Sequence, residues 1–132
     1  MFRHIRLIQI EDYAPLIGAE AVERIRQKAK RLQGLHVAHI NSTYYGGGVA
    51  TLLDSLTSLM SSVGIETGWR TIQGAPDFFS ITKKMHNALQ GGDFNLTEMK
   101  MQIYEDVVYK NAVRNHIEGH DFIIIHIRNP CR

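Results

Sequence analysis

Cysteine is nearly missing from this chain. The single one, Cys131, stands next to the end, so no internal disulfide can form and a disulfide-stapled secreted domain is excluded. Proline is scarce as well, with three residues in 132, and no Pro-rich linker, internal repeat or low-complexity tract is visible. No apolar run approaches the roughly 18 to 20 residues that span a bilayer, which argues against membrane insertion. The opening MFRHIRLIQIEDY lacks the long apolar core and small-residue cleavage site of a signal peptide, so a cytoplasmic location is expected. Charge of one sign is lacking too. The net charge is +2, too small to argue for a nucleic-acid partner, and the basic cluster that ends at Arg31 reads as a solvated face.

What is present fits one soluble domain. At 132 residues, 44% hydrophobic and 21% charged, residues 1–132 can bury a real core once but not twice. Ala21, Val22, Ile25, Ala29 and Leu32 fall at helical spacing over residues 19–32, with Gly34 as a stop signal. Leu35 to Ile40 alternates and is bounded by turn residues, which predicts a buried strand that delivers Asn41, Ser42 and Thr43 to the surface. Three consecutive glycines follow, Gly46, Gly47 and Gly48, and then an apolar-faced helix over residues 49–63 with Gly64 just past its end. Residues 65–72 read as a second strand around Trp69. Strand, helix and strand make a βαβ unit with parallel strands and a right-handed crossover.

Further along, Pro76-Asp77 opens a predicted helix to Leu89, stopped by Gly91-Gly92, and a longer helix runs from Asn95 to about Ile117, with Gly119 ending it. Phe122 to Ile127, FIIIHI, has the β-branched run of a strand covered on both faces of a parallel sheet. The predicted class is α/β, a Rossmann-like three-layer domain with a mainly parallel sheet.

The strand–glycine loop–helix order carries chemistry. Glycine accepts positive φ and lets the backbone approach a ligand, while the free N–H groups and positive dipole end of the new helix face the turn. A phosphate, or a sugar hydroxyl linked to one, suits that environment; a ligand-free tight turn is the competing reading. The loop lacks G-x-G-x-x-G spacing and no acidic residue ends the second strand, which disfavours a dehydrogenase-type nucleotide site. His36 and His39 are expected to share the face opposite Val37 and to bind nothing. The histidines lack ligand-spaced partners apart from Glu118 and His120, so no metal site is argued. Trp69, Met99 and Met101 are expected to be packing groups, and Cys131 no catalytic thiol.

Three segments together are more specific than the glycines alone: HINSTYYGGGVATLLDSL (39–56), FFSITKKMHNALQGG (78–92) and DFIIIH (121–126). They resemble the N-terminal domain of retaining nucleotide-sugar glycosyltransferases built from two Rossmann-like domains, the GT-B architecture. More narrowly, they resemble the trehalose synthase family, which transfers glucose from a nucleotide diphosphate glucose to glucose. The resemblance runs from about Ile10 through His126. It implies that Gly46, Gly47 and Gly48 lie against donor phosphates or sugars, that Lys83, His86 and Asn87 lie near the acceptor sugar, and that His126 is the catalytic-site histidine beside the transferred glucose. It implies no cofactor, the nucleotide sugar being a substrate. On the residues alone, His126 reads first as a core histidine on a strand, and Lys83, His86 and Asn87 read equally as exposed helix positions.

The tail departs from the family. There the histidine is followed by an Asp-Pro-Gln-Pro type sequence, whereas here His126 leads into Ile127-Arg128-Asn129-Pro130-Cys131-Arg132. With the codons CAC ATC CGC AAC CCC TGC CGC for HIRNPCR, one extra G after the first codon gives His-Asp-Pro-Gln-Pro-Leu-Pro. The expectation is therefore an N-terminal, acceptor-side half of a longer enzyme, shortened by a one-nucleotide frameshift in the gene or its recorded sequence. Such a chain is expected to bind the sugar acceptor and nucleotide sugar weakly, to turn over nothing, and to form a homodimer through exposed apolar sheet edge. A non-catalytic sugar- or phosphate-binding module is the alternative.

Overall fold

The computed structural model describes residues 7–43, 45 and 47–126. Three strands, β1 (His36–Asn41), β2 (Glu66–Thr71) and β3 (Phe122–Ile125), form an all-parallel sheet in the spatial order β2-β1-β3. Five helices accompany them among the described residues: α1 (Ala14–Ile17), α2 (Ala19–Lys30), α3 (Gly48–Ser62), α4 (Pro76–Leu89) and α5 (Glu98–Arg114). This is the α/β, Rossmann-like arrangement that the sequence predicts.

Strand β1 is central because its residues can be covered on both faces: from Val37 to Asn41 every position is buried. Val37 packs with Ile10, Val22, Ala29, Val63 and Ile65, joining the N-terminal segment, α2 and the end of α3 into one core. Ile10 and Leu53 are fully buried, and such side chains each contribute roughly 1.5–3 kcal/mol by leaving water. On the opposite face, Ile40 and Ile125 meet Val108, Asn111 and Ala112 of α5 around a cavity of about 100 Å³. The Phe78 ring stacks on Tyr104 at 6.0 Å, tying α4 to α5.

Helix α3 ends in a hydrogen-bonded Schellman turn. Gly64 N donates to Ser61 O (3.0 Å) and Ile65 N to Met60 O (3.1 Å), with Gly64 at φ 86°. The turn drops Ile65 into the core at the start of β2 and fixes the last turn of α3, which carries Met60.

Several expectations change. Asn41, expected at the surface, is buried at the end of β1, and Met99 and Met101, expected to be packing groups, are exposed on α5. The long helix is shorter than residues 95–117: it ends at Arg114, because His116 enters the left-handed region (φ 49°), and a 3-10 turn spans Ile117–Gly119. Strand β3 is an edge strand with Phe122, Ile123, Ile124 and Ile125 all exposed, 37% at least, and not covered on both faces. Its run of β-branched residues is compatible with two-sided burial, but only β1 flanks it in this sheet. His36 and His39 do not share a face. Residues three apart in a strand point to opposite sides, and accordingly His39 is buried while His36 sits exposed, ion-paired with Glu66 and stacked on His120 at 5.9 Å.

Candidate functional site

The sheet order places the site. From β1 the chain passes through α3 to β2 on one side, and later returns to β3 on the other. The carboxyl ends of β1 and β3 therefore flank a topological switch point, the position at which open α/β sheets bind ligands. His126 follows β3 directly there, and its backbone N–H donates to Ile40 O at 2.8 Å, extending the β1–β3 pairing alongside Asn41.

The glycine loop leaves β1 at the same end. Gly46 lies outside the described residues. Gly47 is the N-cap of α3 with φ 80° and ψ 162°; having no side chain, it cannot cap the helix itself, and the first turn holds no acidic residue. The opening N–H groups and positive dipole end of this 15-residue helix face the loop. A Cβ added at Gly48 meets nothing within 4 Å among the described residues.

His126 does not act alone. Its Nε2 lies 2.9 Å from Nδ1 of His39, and the two rings stack at 5.2 Å with 24° between their planes. His39, 2% exposed, places its other ring nitrogen, Nε2, 3.4 Å from the Met60 sulfur. Burial pushes the His39 pKa below its ordinary value of 6.5, and the neighbouring His126 pushes it the same way. Two residues further along β1, the fully buried Asn41 accepts a 2.8 Å hydrogen bond from Trp69 Nε1 through Oδ1, while its Nδ2 has no partner among the described residues.

His39 and Asn41 are the site-lining residues that sequence reading missed. The available signal was polar residues inside an otherwise apolar, central strand, since buried polar groups require partners.

Lys83, His86 and Asn87 lie along α4. His86 Nε2 is 3.2 Å from Gln90 Nε2, and Asn87 O accepts from Gly92 N at 2.9 Å in the helix-ending turn. Among the described residues, no hydrogen bond or ring contact joins these three to His126, Gly47 or Gly48. Among the described residues, no group of three or more His, Cys, Asp or Glu is placed to hold a metal ion, and no helix is long and apolar enough to cross a membrane.

The fold defines a Rossmann-like domain in which a glycine-opened helix and a strand-end histidine stand at the same end of the sheet. Residues 39–132 match the sequence pattern of the trehalose synthase N-terminal domain. The chain belongs to that family. It is 42% identical over 124 residues to the trehalose synthase of Pyrococcus horikoshii, covering 93% of this chain and 30% of that protein. With the trehalose synthase of Rubrobacter xylanophilus it shares 38% identity over 121 residues, 92% of this chain and 29% of that protein. A trehalose phosphorylase of Pleurotus pulmonarius is 28% identical over 115 residues, 83% of this chain and 16% of that protein. The chain thus spans less than a third of the length of the curated trehalose synthases it matches.

Proposed function

We propose that this chain is the N-terminal, acceptor-side domain of a retaining glucosyltransferase of GT-B architecture, which makes trehalose from a nucleotide diphosphate glucose and glucose. The observation that supports it best is the juxtaposition at the switch point: the glycine-opened N-terminus of α3 after the end of β1, and His126 at the end of β3. Transfer with retention requires an oxocarbenium-like centre to be stabilised, the leaving diphosphate to be neutralised, and the acceptor hydroxyl to be held within attacking distance. In this reading the glycine loop serves the phosphates or acceptor, His126 orients the transferred sugar, and Lys83, His86 and Asn87 approach the acceptor. The groups that neutralise the diphosphate come from a further domain. A cytoplasmic location belongs to the same reading.

The 132-residue chain is expected to bind weakly and not to turn over. Isothermal titration with glucose, trehalose and a nucleotide diphosphate glucose, beside an assay of a chain continued in the shifted reading frame, tests it. Weak sugar binding by the short form and trehalose synthesis by the extended form are the expected results. No binding and no synthesis by either overturns the assignment.

The exposed β3 supports one further element of this reading, self-association. A strand with four exposed apolar residues and an outer edge that pairs with no strand among the described residues is a template for pairing with a second copy.

A further inference from the structure

The imidazoles of His39 and His126 share one N···N contact, and that contact has a direction. A thioether sulfur has no proton to give, so the 3.4 Å approach of His39 Nε2 to Met60 Sδ is favourable only when Nε2 carries the proton. A neutral imidazole has one donor and one acceptor. With its proton on Nε2, His39 can only accept at Nδ1, and the 2.9 Å contact must be donated by His126 Nε2–H. The lone pair of neutral His126 then resides on Nδ1, which makes no hydrogen bond among the described residues. Met60 is held firmly enough to set this order, because its carbonyl closes the Schellman turn that ends α3 and its side chain packs against the buried core.

We propose that His39 is a positioning residue: reading Met60 on one side and His126 on the other, it locks His126 as the Nε2–H tautomer, so that Nδ1 accepts a hydrogen bond from a sugar hydroxyl. The hydroxyl as ligand rests on the sugar-site reading above; the tautomer lock rests on the three side chains alone. The lock selects for chemistry. An acceptor nitrogen favours a hydroxyl, which can donate, and disfavours a carboxylate or phosphate oxygen placed at the same point, since both would present lone pairs. His39 touches no substrate in this scheme and acts only through His126.

The test is long-range ¹H–¹⁵N NMR of the 132-residue chain with labelled histidine, at a pH where both rings are neutral, without and with a nucleotide diphosphate glucose, which carries the glucose to be transferred. Protonated and unprotonated ring nitrogens are well separated in ¹⁵N shift. The expected spectrum has His39 and His126 both protonated at Nε2 and unprotonated at Nδ1, and the nucleotide sugar is expected to move the Nδ1 resonance of His126. Met60→Leu, close in volume, removes the sulfur acceptor and is expected to give mixed tautomers at both histidines. His39→Leu is expected to weaken nucleotide-sugar binding about fivefold, the worth of one hydrogen bond, and His39→Gln to restore most of it because its amide oxygen can accept from His126 Nε2–H.

A single Nδ1–H tautomer at His126 in the parent protein overturns the lock, whether or not the nucleotide sugar binds. Unchanged tautomers in Met60→Leu overturn the sulfur's part in setting the order. The expected tautomers with the nucleotide sugar bound but no shift at His126 Nδ1 overturn the hydroxyl contact. The expected tautomers with no binding at any concentration, together with no synthesis by the extended chain, overturn the functional reading and leave the lock standing.

Discussion

Trp69 donates its indole N–H to Asn41 across a 2.8 Å hydrogen bond from β2 to β1, at the end of the sheet where the glycine loop begins. Asn41 is 1% exposed, so its carbonyl oxygen has no water to fall back on. Trp69→Phe keeps an aromatic ring but removes the donor. It is expected to destabilise the protein by about 1–3 kcal/mol, the cost of leaving a buried acceptor unmet, as read by urea unfolding. A loss no larger than that of an exposed substitution shows that Asn41 finds another donor.

His39 makes stability depend on pH with a definite sign. Burial, reinforced by His126, lowers its pKa in the folded state below 6.5, whereas in the unfolded chain it titrates near 6.5. Between those values the unfolded state binds the proton and the folded state does not, so stability is full above pH 6.5 and declines as pH falls towards the lowered pKa. Chemical denaturation between neutral and mildly acidic pH measures the decline. In His39→Gln that component of the slope is expected to vanish; an unchanged slope assigns it to another group.

The two described glycines of the loop are expected to behave differently. Gly47 has φ 80°, a conformation that costs an L-residue about 1–2 kcal/mol, so Gly47→Ala lowers stability and shifts the opening of α3. Gly48 is helical with open space where a Cβ falls, so Gly48→Ala leaves thermal stability unchanged or slightly raised. If ligand approaches this backbone, Gly48→Ala nevertheless weakens sugar or phosphate binding in titration calorimetry. Wild-type binding in that variant removes the loop from the site.

Self-association through β3 is tested by size-exclusion chromatography with light scattering. The expected species is a homodimer that dissociates when Ile123, exposed on this edge strand, is replaced by lysine. A clean monomer across the concentration range rules it out.

Periodicity located α2, β1, α3, β2 and α4 to within a few residues, and a β-branched apolar run located β3. The family, too, was legible, since residues 39–56, 78–92 and 121–126 carry its motifs in order. Local pattern missed what depends on neighbours distant in the chain. The end of α5 is set by left-handed His116, and the loop after β2 by Asn111, whose side chain bonds both N–H and C=O of Gln73 across 38 positions. FIIIHI has the composition of a covered strand, but its exposure depends on what lies beside it.

The site divides the same way. Residue order alone determined that a glycine loop joins β1 to α3 and that a histidine follows the last strand, because both are features of consecutive residues. Only the tertiary structure decided that β3 pairs with β1, and therefore that His126 meets His39, 87 positions earlier, and through it Met60. Hydrogen-bond direction between two imidazoles depends on what the far nitrogen touches, and that is a property of packing in three dimensions.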